Sequence, residues 1–118
     1  MKKILTLKKN YEFKNVLSKG KYYSGKSIEV IIRPSHKKQN YIGIAVGVKQ
    51  GKAVRRNHVK RLIRENYRLL EKNLKKGYDI VFLWKKKNSI EEANFWKIQE
   101  DMKYIFKKAK LYEETEEI

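Results

Sequence analysis

The chain has 118 residues, no cysteine, two histidines, and 30 Lys/Arg against 13 Asp/Glu, a formal net charge of +17 at pH 7. That length suits a single domain over residues 1–118, and the missing cysteines exclude disulfides and thiolate metal sites; His36 and His58 are too few for a zinc site, and a reducing cytoplasm is the expected home. A charge of this size points to a polyanion as partner, nucleic acid or an anionic membrane surface.

In the opening MKKILTLKKN the apolar run is only Ile4, Leu5 and Leu7, too short for an export segment or a membrane span. From Lys8 to Gly20 the spacing predicts a short helix. Asn10 is its expected cap, Phe13, Val16 and Leu17 share a face, and Gly20 ends it. Lys21 to Ser24, with Tyr22 and Tyr23, reads as a short strand at a sheet edge. Ile28 to Arg33 alternates as a strand with Ile28, Val30 and Ile32 on one side and Glu29, Ile31 and Arg33 on the other. A further strand is expected from Tyr41 to Val48. Its Ile42, Ile44, Val46 and Val48 form a core face, while Tyr41, Gly43, Ala45 and Gly47 leave the other face with little bulk, which we read as an open groove.

A second helix is predicted from about Lys52 to Lys75, before Gly77. At about 100° per residue Val59, Leu62, Ile63, Asn66, Leu70 and Leu74 share one face, and Asn57, Lys60, Arg61, Arg64 and Arg68 the opposite one. Like charges at i, i+4 (Arg56, Lys60, Arg64, Arg68) destabilise an isolated helix by a few tenths of a kcal/mol per pair. An uninterrupted basic stripe therefore implies that phosphates supply the counter-charge. Val30 to Arg64 holds ten Lys/Arg and no carboxylate at all. Tyr78 to Trp84 is a nearly continuous apolar run, hence a buried strand, followed by Lys85, Lys86 and Lys87. Ser89 with Glu92 resembles a capping box for a last helix with a core stripe of Phe95, Ile98, Met102, Ile105, Phe106 and Ala109. Residues 113–118 form an acidic tail that is expected to fray.

No phosphate-binding glycine loop, activated nucleophile or carboxylate pair is evident, since Asp79 and Asp101 are the only aspartates and the glutamates lie mostly on helix surfaces or in the tail. No catalytic residue and no metal ligand is expected on this chain, nor a small-molecule substrate. Binding chemistry is abundant instead: arginine forks and lysine point charges for phosphate, with Asn57 and His58 able to bond bases, sugars or phosphates. A membrane partner fits poorly, because the sheet claims the apolar face that a surface-bound helix would need.

The run KAVRRNHVKRLIRE, with the Gly-rich strand before it, resembles the signature of the bacterial ribonuclease P protein family: Lys49, Gly51, Ala53, Val54, Arg56, Asn57, His58, Lys60, Arg61 and Arg64 fall on it. His58 stands where the family motif carries the second arginine of an Arg-Asn-Arg triplet. The likeness extends from Leu7 to the last helix. It implies an α+β fold, a two-layer α/β sandwich in the order α-β-β-(β)-α-β-α, similar to the second domain of ribosomal protein S5 and with a left-handed β-α-β crossover. It also implies a ribonucleoprotein endonuclease that hydrolyses precursor tRNA at the 5′ leader, with the active centre and most of the bound Mg²⁺ on the RNA subunit. RNA binding would then fall to Lys49, Lys52, Arg55, Arg56, Asn57, His58, Lys60, Arg61, Arg64 and Arg68. A leader cleft between the first helix and the sheet would involve Phe13, Leu17, Ile31, Ala45 and Lys85. Leu17 and Ile31 replace aromatics common in the family, which predicts weaker stacking on the leader. The competing reading is a stand-alone architectural or ribosome-associated nucleic-acid-binding protein.

Overall fold

The computed structural model describes residues 3–113. In chain order the elements are α1 (Asn10–Lys19), β1 (Lys21–Ser24), β2 (Ile28–Pro34), β3 (Tyr41–Ala45), α2 (Ala53–Leu70), β4 (Tyr78–Trp84) and α3 (Phe95–Lys108). The strands make one sheet in the order β1-β2-β4-β3, antiparallel except for the parallel β3–β4 pair that α2 connects. This is the expected α+β class and element order, with β1 at a sheet edge as its position in the sequence suggested.

The two faces of the sheet carry cores of very different size. Ile28, Val30 and Ile32 of β2, with Ile42, Ile80, Phe82 and Trp84, face α2 and α3, which contribute Val59, Ile63, Tyr67 and Leu70 and Ile98, Met102, Ile105 and Phe106. Phe82 sits centrally, edge-on to Tyr67 at 5.8 Å and to Phe106 at 6.2 Å between ring centroids. Each such side chain removed from water stabilises the fold by roughly 1.5–3 kcal/mol. The reverse face holds a small cluster of Val16, Ile31 and Val81, flanked by Leu7, Phe13 and Leu83. β4 is an inner strand covered on both sides, which is why its apolar run shows no alternation.

Helix α1 thus adds a partial third layer on the face read as an open groove. A Cβ built on Gly43 would lie 2.7 Å from Cε2 of Phe13, so the glycine there admits the aromatic ring rather than leaving space. Beyond it the face stays open, at Ala45 and Gly47. Gly43→Ala is expected to cost about 1–3 kcal/mol by overpacking, read as a lower urea midpoint; an unchanged midpoint would mean that the ring shifts freely.

Other differences from the predicted elements are local. β3 ends at Ala45, and Val48 lies in a 3₁₀ turn (Val48–Gln50) at 76% exposure, because the chain must leave the sheet to reach α2. The cap of α1 is Lys9, whose N–H donates to Glu12 Oε1 at 3.2 Å, so Asn10 is already helical. α2 stops at Leu70, followed by a 3₁₀ turn, since Leu74 must turn extended to enter the core and pair with Tyr112. Ser89 caps only a short 3₁₀ turn, and Asn94 caps α3 by accepting from the N–H groups of Trp96 and Lys97 at 2.9 and 3.2 Å. The N–H of Glu113 donates to Asn73 O at 2.9 Å; the rest of the acidic tail, and its expected fraying, lies outside the described residues.

Two further contacts fix the frame around the site. Leu5–Leu7 lies along β3, with Leu7 N–H donating to Ile42 O at 2.8 Å and Ile42 N–H to Leu5 O at 3.0 Å, so this sheet edge is covered. Buried Asp101 of α3 accepts from three backbone N–H groups of the β1–β2 connection, Lys26 at 3.0 Å, Ser27 at 2.6 Å and Ile28 at 3.1 Å. Gly25 belongs to the same arrangement, because a Cβ there would meet Asp101 Cγ at 2.6 Å.

Candidate nucleic-acid interface

Helix α2 has an apolar face anchored by Val59, Ile63, Tyr67 and Leu70, so its register forces the intervening basic residues outward. Asn57, Arg61, Arg64 and Arg68 are exposed and Lys60 is half-buried on that outer face; Arg55 and His58 are exposed to one side of it, and Lys49 and Lys52 precede the helix. The first turn carries no acidic residue, so the positive end of the helix dipole adds to the side-chain charge. Arg56 Nε donates to Gly51 O at 3.1 Å and ties its guanidinium to the turn. Among the described residues only Arg61 in this group has a carboxylate partner, Glu65 at 3.5 Å, an exposed pair of the kind worth little. Of the ten residues predicted for RNA binding, Asn57, Lys60, Arg61, Arg64 and Arg68 share the outer face of α2, Arg55 and His58 lie to one side of it, and the charge of the group is largely uncompensated among the described residues.

Lys60 and Arg64 also border a groove of about 320 Å³ whose other wall is Thr6, Leu7 and Phe13. The basic face of α2 thus borders a groove that Phe13 of α1 also lines.

The five predicted cleft residues separate. Phe13 is half-buried over Gly43, and Ile31 at 4% exposure lies beneath α1, where it offers packing and no accessible surface. Leu17 is exposed on α1 at 42%. Ala45 and Lys85 line an open cleft of about 520 Å³ beside α1, one row further along the strands, together with Tyr22, Glu29, Gly47 and Leu83 and with Lys86 and Lys87. Leu83, missed by sequence reasoning, is hidden inside the apolar run of β4; Tyr22 faces the cleft because it pairs with Ile31 and so shares the face of Glu29 and Leu83. The register carries that signal once β1 is assigned as a strand.

Titratable groups elsewhere serve the frame. Lys37 Nζ reaches Asp79 at 3.3 Å and Glu12 at 3.4 Å and lies 4.4 Å from the centre of the Tyr41 ring. Burial pulls its ammonium down, but the two carboxylates together hold it above its usual pKa, while the N–H of Lys9 holds Glu12 below the usual carboxylate value. Burial pushes the Tyr67 phenol far up. No three metal-ligating side chains come together among the described residues, and no helix among them is long and apolar enough to cross a membrane.

The Ribonuclease P family model matches residues 1–110. The ribonuclease P protein component of Caldanaerobacter subterraneus subsp. tengcongensis is 44% identical over 114 residues, 97% of each chain, and that of Clostridium botulinum strain Langeland is 41% identical over 107 residues, 90% of this chain and 95% of that one. Among solved structures, the Staphylococcus aureus RNase P protein superposes with a TM-score of 0.80 at 27% identity, covering 94% of this chain and all of that one. The Thermotoga maritima RNase P protein gives 0.78 at 32% identity over 87% and 96%. Likeness along almost the whole chain, in sequence and in fold at once, makes this chain a member of the ribonuclease P protein family.

Proposed function

We propose that this chain, the protein subunit of the ribonuclease P endoribonuclease and a partner of its RNA, divides its RNA contacts between two surfaces. The face of α2 from Lys49 to Arg68 grips the structured RNA subunit, and the cleft at Ala45, Leu83 and Lys85 takes the single-stranded 5′ leader of precursor tRNA. The observation that carries this reading is the basic stripe of α2, whose cations, Arg61 apart, have no carboxylate partner among the described residues. Forked guanidinium donors at this spacing suit the phosphates of a folded RNA, and six to ten such contacts would make affinity fall about a thousandfold or more between low and moderate salt.

Catalysis is left to the RNA subunit, which also binds most of the Mg²⁺. Asp79 is committed to Lys37 and Asp101 to three backbone donors, so these residues do not fit a protein-held magnesium site. The role of this chain is to hold substrate and RNA together by lowering their mutual repulsion. The test is reconstitution: the purified protein, added to ribonuclease P RNA at low Mg²⁺, is expected to restore leader removal. RNA binding without restored cleavage would favour a stand-alone architectural protein instead.

Leader affinity is expected to be modest. Ile31 is covered, Phe13 is half spent on Gly43, and Leu17 presents only an aliphatic edge. Each missing base–aromatic stack removes about 1–3 kcal/mol. The holoenzyme should thus discriminate precursor from mature tRNA by a small factor in Kd, and an unusually large preference for the precursor would contradict this.

A further inference from the structure

Among the described residues Glu29 is the one carboxylate lining a cleft that also carries Lys85, Lys86 and Lys87. Phosphates would be repelled by it, and among the described residues no lysine or arginine neutralises it. Its partner is the Tyr22 hydroxyl, which donates to Oε2 from the neighbouring strand. That bond raises the Tyr22 pKa above its ordinary value, so the phenol remains a donor throughout the physiological range. One carboxylate oxygen is therefore held in place, while an ionised carboxylate still has acceptor positions to offer and no donor. Glu29 pairs with Leu83, and Leu83 with Ala45, so the acceptor stands beside a small apolar floor on which the flat face of a base can rest.

We infer that Glu29 is a specificity-determining residue: its carboxylate, aimed by Tyr22, accepts from the exocyclic amino group of one nucleobase of the strand in the cleft. Cytosine, adenine and guanine carry such a donor, whereas uracil presents a carbonyl where cytosine has its amino group, and two acceptors repel. The lysines hold the backbone and supply affinity without sequence preference; Glu29 supplies the preference. The inference rests on the leader reading proposed above.

Cytosine and uracil share ring size, so they isolate the amino group. The measurement is Kd of the reconstituted holoenzyme for three RNAs: precursor tRNA with an all-cytidine leader, the same with an all-uridine leader, and mature tRNA. The cytidine leader is expected to bind about tenfold tighter than the uridine leader, the scale of one hydrogen bond to a charged group. Glu29→Gln, whose amide donates as well as accepts, should bring that ratio to within about twofold, and Tyr22→Phe should reduce it by a smaller factor. A ratio near one in the unaltered protein, or a ratio that Glu29→Gln leaves unchanged, overturns the inference. So does equal tightening of both leaders by Glu29→Gln, which would make Glu29 merely repulsive. Mature tRNA binding as tightly as both precursors would instead remove the leader reading itself, and this inference with it.

Discussion

Replacing Arg56, Lys60 and Arg64 together by alanine is expected to weaken binding to ribonuclease P RNA by about a thousandfold at low salt, since each charge-assisted hydrogen bond to a phosphate is worth about tenfold. The slope of log K against log salt should fall by about three units, one for each phosphate no longer neutralised. The fold should survive. None of the three contributes to the buried face of α2, and their mutual i, i+4 repulsion disappears with them. The only hydrogen bond these side chains make within the described residues is that of Arg56 to Gly51 O, which is exposed. An unchanged salt slope with normal circular dichroism would show that the RNA lies elsewhere. Single substitutions should each give about a third of the slope change, and an unequal division would rank the three cations.

Asp101→Ala should have the largest effect on stability of any single substitution outside the apolar core. The carboxylate serves the N–H groups of Lys26, Ser27 and Ile28, and at 6% exposure water cannot replace it without opening the turn. Orphaning these donors is expected to cost about 3–5 kcal/mol, which for a chain of this size lowers Tm by roughly 10–20 °C. Asp101→Asn keeps one acceptor oxygen and turns an amide toward the remaining donor, so it should lose less than alanine does. Thermal unfolding followed by far-ultraviolet circular dichroism would decide; a shift of a few degrees for Asp101→Ala would mean that the turn finds other acceptors.

The elements most legible in the sequence are those whose burial is written in a simple period. Ile28, Val30 and Ile32 occupy the core face as their alternation indicates, β4 begins and ends at Tyr78 and Trp84, and the face of α2 bearing Val59, Ile63 and Leu70 is buried. The basic surface follows from that register, because fixing the apolar side of a helix fixes the other. What stays hidden depends on partners distant in sequence. Gly43 looks like open space until Phe13, thirty residues earlier, is placed over it. Asp101 looks like a surface acid of α3 until the β1–β2 turn reaches it. Tyr67 falls near the margin of its helix face and is nonetheless enclosed, because Phe82 projects from the sheet to meet it. The caps of α1 and α3 differ from those the sequence suggests because several polar residues near each helix start can serve, and tertiary contacts choose among them.

The disparity between the two cores has a dynamic consequence. α1 is docked by Val16 against Ile31 and Val81, with Phe13 and Leu7 at the rim, whereas α2 and α3 share a core several times larger. Detaching α1 therefore requires far less free energy than global unfolding, and its amides should exchange with deuterium well before those of β4. Each such excursion uncovers Ile31, Val81 and Gly43 and lengthens the channel that begins at Ala45. The width of the cleft is then expected to be a population rather than a fixed dimension.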